Sequence, residues 1–325
     1  MKDRVTYFDF LRGIAIIMVI GIHTFMASEC NDVDIYIRQM INCAVPIFLA
    51  ISGYFLTKKR DFIFEKKSTF VRKQIAKVYI PMFIWSLPLF AISIYKGGGS
   101  ALDIFKYGTL LLAGGYSIYY FITLIIQCYL LFGLFVKFNN LRGVIVSFAI
   151  TCLSVGIEIY FMKFRGMEIP LLIYAGPIVV WCVYFMVGCY LAERNRYYKL
   201  WPILVLAIIF LIAQYFEAEY YNSLTSTNPY GVIKLSTVFF NCIMLFVLFS
   251  EKLEQLYDKY NCHLKLINLY GTFSFGIYLT HCYFLRFVLL NNWFLRWLVV
   301  AIISFTFIFL LNLIIPKRIQ KYIGL

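Results

Sequence analysis

Apolar runs of roughly 20 residues recur along almost the whole chain, each long enough to cross a hydrocarbon core about 30 Å thick as a helix. That repetition restricts the fold more than any motif does. Backbone amides in lipid must be paired within the segment, so a spanning run is helical unless it alternates like a barrel strand. Continuous runs such as Leu200–Tyr215 do not alternate. The sequence therefore predicts an all-α integral membrane protein. Hydrophobic residues make up 62% of the 325 and charged residues 14%, which excludes an ordinary soluble domain. Residues 1–325 are expected to form a single polytopic membrane domain, with no stretch left over for a separate soluble one.

Ten spans follow from the runs, near 7–26, 36–57, 74–95, 116–136, 143–162, 170–192, 200–216, 232–250, 267–290 and 294–315. The piece Ile104–Ala113 is too short to span. Gly97–Gly99 before it and Gly114-Gly115 after it mark a surface or re-entrant segment. Lys and Arg collect on cytoplasmic loops, and these spans divide them 21 to 8 between the two sides, leaving Arg12 well inside a span. The stretch Thr57–Lys77 alone carries eight basic residues against Asp61 and Glu65. The other side holds Glu29, Asp32, Asp34, Glu217 and Glu219. Both termini are accordingly expected in the cytoplasm.

Topology also accounts for most of the net charge of +14, which would otherwise suggest a nucleic-acid partner. Anionic lipid headgroups are the simplest partner for basic cytoplasmic loops, and a phosphorylated soluble cofactor is the more specific one. The nine cysteines are scattered without a C-x-x-C pair, so neither a disulfide framework nor a thiolate metal site is expected. Met1–Ala27 starts like a signal peptide, but Arg12 and His23 interrupt its apolar run, and it reads as an uncleaved first helix.

Polarity is most expensive near the bilayer centre, at about 2.5–3.5 kcal/mol or more per charge, so function is sought there. In the first span Asp9 and Arg12 are three apart and pair across one helical turn. Arg12 and His23, eleven apart, return to one helix face within roughly 20° and about 16 Å along the axis. Arg12 alone is equally explained as a side chain reaching the interface. His23 is harder to explain by packing, because an imidazole titrating near neutrality suits proton transfer.

The run Asp9-Phe10-Leu11-Arg12-Gly13, with His23 after ten intervening residues, resembles the opening signature of the acyltransferase family 3 membrane proteins. Four later stretches resemble that family in order. These are Pro46–Leu56, the basic run Arg72-Lys73 to Lys77 leading to Pro81 and Trp85, Tyr120-Phe121-Ile122 with Tyr129 nine residues on, and Ser274–His281. Tyr120 stands where the family pattern has Trp, and the third stretch is Lys-rich.

The resemblance implies an O-acyltransferase of the bacterial cytoplasmic (inner) membrane. It would move an acyl group, acetyl being the expected one, from cytoplasmic acyl-CoA to a hydroxyl of a glycan or lipid-linked glycan at the outer side. On this reading His23 is the general base, with an acyl-histidine as the alternative, and Asp9 orients Arg12. Arg72, Lys73 and Lys77 would bind the coenzyme A phosphates, or else merely signal topology. His281, Tyr120 and Glu158 are secondary candidates, His281 with interhelical packing as its competing role. Tyr116, Tyr119 and Tyr120 could stack on a sugar, whereas Ser274 and Tyr278 read as packing residues. The rival class is a transporter or flippase for a lipid-linked sugar, which would more often show inverted repeats; none is visible in the sequence.

Overall fold

Every regular element among the described residues is helical. The computed structural model describes residues 6–26, 30–116, 118–224 and 228–325. Glu29, one of the expected outer acids, and the basic start of the chain lie outside these. The first half runs through α1 (Thr6–Thr24), α2 (Asp32–Met40), α3 (Ala44–Lys58), α4 (Arg60–Glu65), α5 (Lys67–Gly97), α6 (Ala101–Ala113), α7 (Tyr120–Lys137) and α8 (Leu141–Ile159). The second half has α9 (Leu171–Ala175), α10 (Cys182–Ala192), α11 (Leu200–Ser223), α12 (Leu235–Leu248) and α13 (Glu251–Tyr260). It closes with α14 (Lys265–Thr272), α15 (Ser274–Phe287), α16 (Trp293–Ile314) and α17 (Lys317–Ile323).

Among the described residues, seven helical stretches are long and apolar enough to cross a membrane: Thr6–Thr24, Asp32–Lys58, Ser68–Gly97, Tyr120–Lys137, Leu141–Phe164, Leu200–Ser223 and Trp293–Ile314. Leu235–Leu248 with Glu251–His263, bent by 58°, makes an eighth if counted as one. The expected ten is not reached, because two predicted spans are broken. The run 170–192 divides at Gly176-Pro177, where Pro177 has no N–H to donate and adopts an extended conformation, so α9 stops and α10 starts after a 3-10 turn, Ile178–Val180. The interrupted backbone is re-paired by side chains, as a low-dielectric setting demands. Gln127 of α7 donates to the Gly176 carbonyl at 2.8 Å and accepts from the Ile178 amide at 3.1 Å, while Trp181 Nε1 donates to the Ala175 carbonyl at 2.9 Å. The run 267–290 divides at Phe273 into α14 and α15. The short piece near 104–113 is the thirteen-residue α6, opened by a Ser100–Asp103 capping box and ended by Gly114 in the left-handed region at φ 68.

Close helix approach builds the centre. Helices in lipid associate by packing rather than by a hydrophobic driving force, so small residues mark their contacts. A Cβ at Gly188 would stand 2.1 Å from the Ala50 carbonyl oxygen, and one at Gly53 would stand 2.3 Å from that of Phe185, which leaves α3 and α10 backbone to backbone. The same device joins α1 to α14, where a Cβ at Gly271 would lie 1.7 Å from the Asp9 carbonyl oxygen. The α1 helix is thus held along its first half by α14. Its second half is held by α16, whose Trp297 and Trp293 donate to the carbonyls of Ile17 at 2.7 Å and Gly21 at 3.1 Å. These three contacts on α1 set its rotation and hence the direction in which His23 points.

Candidate active site

Between these helices lies a cavity of about 370 Å³, and both Arg12 and His23 line it. The helical period had put them on one face of α1, and that face is the one turned inward. Arg12 donates to Asp9 at 2.9 Å, with the Asp9 side chain 5% exposed, and its guanidinium stands 5.4 Å from the centre of the Phe55 ring. The pairing of Asp9 with Arg12 predicted from their spacing is therefore present. Apolar groups dominate the walls between the two ends, among them Val19, Ile22, Val45, Phe48 and Phe121.

His281 of α15 is fully buried beside His23, with ring centres 5.6 Å apart. Its Nδ1 lies 3.1 Å from the Ile277 carbonyl oxygen. A carbonyl can only accept, so the proton is on Nδ1, and the neutral ring carries its lone pair on Nε2. That Nε2 is buried and makes no hydrogen bond among the described residues. Tyr120, also a candidate, lines the same cavity and packs on Trp181.

Other candidates fall elsewhere. Tyr119 is fully buried and donates to the Leu279 carbonyl at 2.6 Å, and Tyr116 donates to the Tyr107 carbonyl at 3.1 Å; neither lines the cavity. Glu158, near the end of α8, is half-buried with one carboxylate oxygen that has no hydrogen-bond partner among the described residues, and it too is off the lining. Arg72, Lys73 and Lys77 are exposed on the opening turns of α5, and the structure does not bring them to the cavity. Ser274 and Tyr278, read from the sequence as packing residues, both line it, although the Tyr278 hydroxyl also donates to the Ile118 carbonyl as a helix-linking bond.

Four further polar residues line the cavity without standing out in the sequence: Arg38, Lys163, Tyr174 and Asn228. Arg38 and Lys163 fall at the ends of the predicted spans 36–57 and 143–162, where a charge is ordinary. The signal that could have found Arg38 is the polar series Arg38, Gln39 and Asn42 at helical spacing beside an apolar run. Arg38 donates to the Asn42 side chain, whose amide donates to Gln39 at 3.2 Å. Lys163 stands on a π-helical turn, Tyr160–Phe164, that extends α8, and donates to the Asn228 carbonyl at 2.9 Å.

A sequence model of acyltransferase family 3, described as an acyltransferase domain, matches residues 5–315. The chain belongs to acyltransferase family 3. Neither a curated protein nor a solved structure matches the chain with comparable significance. As a family 3 acyltransferase it is a multi-pass membrane enzyme that uses an acyl donor and an acceptor. The matched region includes every lining residue of the cavity.

Proposed function

We propose that this family 3 acyltransferase moves an acetyl group from acetyl-CoA, or a related acyl-CoA, to a hydroxyl of a glycan or lipid-linked glycan. The donor enters from the cytoplasm and the acceptor from the outer side of a bacterial inner membrane. The reading is carried by one observation: Arg12 and His23 line a single cavity, about 16 Å apart along one helix face. A donor phosphate at the Arg12 end and an acceptor at the His23 end would then meet near the imidazole.

The chemistry balances with His23 as the base. Its lone pair takes the proton of the acceptor hydroxyl while that oxygen attacks the thioester carbonyl; the C–O bond forms, the C–S bond breaks, and the proton passes to the departing sulfur. His281 acts as a positioning residue. Its Nε2 lone pair, without a hydrogen-bond partner among the described residues, belongs to a ring 5.6 Å from that of His23, so a small rotation would let it accept the His23 N–H and leave the other His23 nitrogen unprotonated. Asp9 orients the Arg12 guanidinium. Arg72, Lys73 and Lys77 gather the coenzyme A phosphates at the membrane surface before Arg12 engages them.

Free-thiol release from acetyl-CoA by the purified protein tests the activity, since a transporter would release none. Mass spectrometry of surface glycans from cells with and without the protein would identify the acceptor. For orientation, single cysteines near Lys66 and Asp32 in a cysteine-free background are probed with an impermeant reagent in intact cells. Labelling near Asp32 and protection near Lys66 is the expected result, and the reverse would invert the proposed sidedness.

A further inference from the structure

The His23 end of the cavity is unusually cationic. Arg38 is 4% exposed, Lys163 3% and Lys234 0%. Arg38 and Lys163 line the cavity, and Lys234 lies directly behind the lining segment Gly231–Ile233, donating to the Gly231 carbonyl. Arg38, Lys163 and Glu217 are close enough to Lys234 to act on its charge. Glu217 is already engaged, accepting from the amides of Leu235 at 3.1 Å and Ser236 at 2.9 Å, from the Ser236 hydroxyl, and from the Tyr221 hydroxyl at 2.9 Å. It caps the first turn of α12. Arg38 enters no ion pair among the described residues, and its Nε is buried without a hydrogen-bond partner.

Gathering like charges in a low-dielectric setting is expensive, and a neutral sugar would do little to relieve it. An oxyanion would do so directly, by charge-assisted hydrogen bonds from guanidinium and ammonium. Asn228, whose carbonyl holds Lys163, is at φ 49, the one positive-φ residue other than glycine among those described, and both it and Gly231 line the cavity.

Resting on the acyl-transfer reading, we infer that the acceptor is anionic, and that Arg38 and Lys163 bind its carboxylate or phosphate, with Lys234 adding charge from behind the lining, while a neighbouring hydroxyl is presented to His23. The cluster lies at the opposite end of the cavity from Arg12, so donor and acceptor charges are held apart by the apolar walls between them. Both an acidic sugar and a sugar phosphate supply the required oxyanion.

Titration calorimetry on the purified full-length protein tests this without requiring turnover. The probes are methyl glucuronide, glucose 1-phosphate and methyl glucoside, the last carrying a neutral hydroxymethyl group where the first carries its carboxylate. Binding at least about tenfold tighter for one charged probe than for the glucoside is expected, and which probe gains tells carboxylate from phosphate. In Arg38→Gln the ratio should fall to within about threefold. Lys234→Met should lower it similarly, and provides a second variant should the first not fold. Equal binding of all three probes by the unmodified protein would overturn the inference. So would a weakening of acetyl-CoA binding in Arg38→Gln with the probe ratio intact, because the cations would then serve the donor. Free-thiol release, measured separately, reports on the acyl-transfer reading itself: its absence would remove that reading whatever the probes show.

Discussion

The spans that carry the cavity and the spans that surround it differ in a way that runs against intuition from soluble proteins. In the 18-residue apolar stretch of each span, 72% of residues are buried in Asp32–Lys58 and 56% in Thr6–Thr24, whereas 11% are buried in Leu200–Ser223 and only 22% in Trp293–Ile314, the most apolar of all. The outer helices are apolar because lipid is their solvent, and residues such as Ile208, Leu298 and Leu313 are exposed. The inner helices tolerate Arg12, His23, Arg38 and Asn42 because protein surrounds them and supplies partners. Hydropathy in this molecule therefore reports contact with lipid, and the chemistry is found where hydropathy falls.

The contrast predicts a graded response to substitution. The largest effect should come from His23→Gln, which keeps polarity and much of the volume but cannot take a proton near neutral pH. Transfer should fall by about 10²–10⁴ with the protein still inserted, measured as product formed per mole of purified enzyme. Near-normal turnover would end the general-base role and would move attention to His281.

Next comes Gly188→Val, which touches neither ligand yet puts its Cβ 2.1 Å from the Ala50 carbonyl oxygen. Overpacking at such a contact costs about 1–3 kcal/mol, so a clear drop in melting temperature and in membrane abundance is expected. If Gly188→Val were as stable as the unsubstituted chain, the centre would not be the rigid part of the comparison.

Smaller still is the effect of neutralising Arg72, Lys73 and Lys77 together. They are exposed, so screening limits each to a modest contribution, and acyl-CoA affinity should weaken roughly three- to tenfold at low salt and less at high salt. Unchanged affinity in a correctly inserted variant would leave them as topology signals.

At the bottom of the scale, Ile208→Leu on the lipid face of α11 should leave stability within about 0.5 kcal/mol and turnover unaltered. A large loss there would mean that α11 is covered by something other than lipid.

Much of this was legible in the chain because it depends on local rules. Spanning length, helicity and the shared face of Arg12 and His23 follow from a rise of about 1.5 Å and a turn of about 100° per residue, whatever the rest of the molecule does. The Asp9–Arg12 pair is local in the same sense. Even the break at Gly176-Pro177 was written in the sequence, although the apolar run around it concealed that Pro177 would end one helix and leave the next too short to span.

Tertiary structure alone decided which faces meet. His281 becomes the neighbour of His23 because α14 reaches α1 through Gly13 and Gly271 and continues into α15. Arg38, Lys163 and Asn228 converge from α2, the end of α8 and the chain before α12, segments whose individual patterns give no sign of one another. The physical reason is that a residue's period along its own helix is fixed by covalent geometry and backbone hydrogen bonds. The helix it will face depends on contacts between backbones far apart in the chain, made possible by the absence of a side chain at a few glycines.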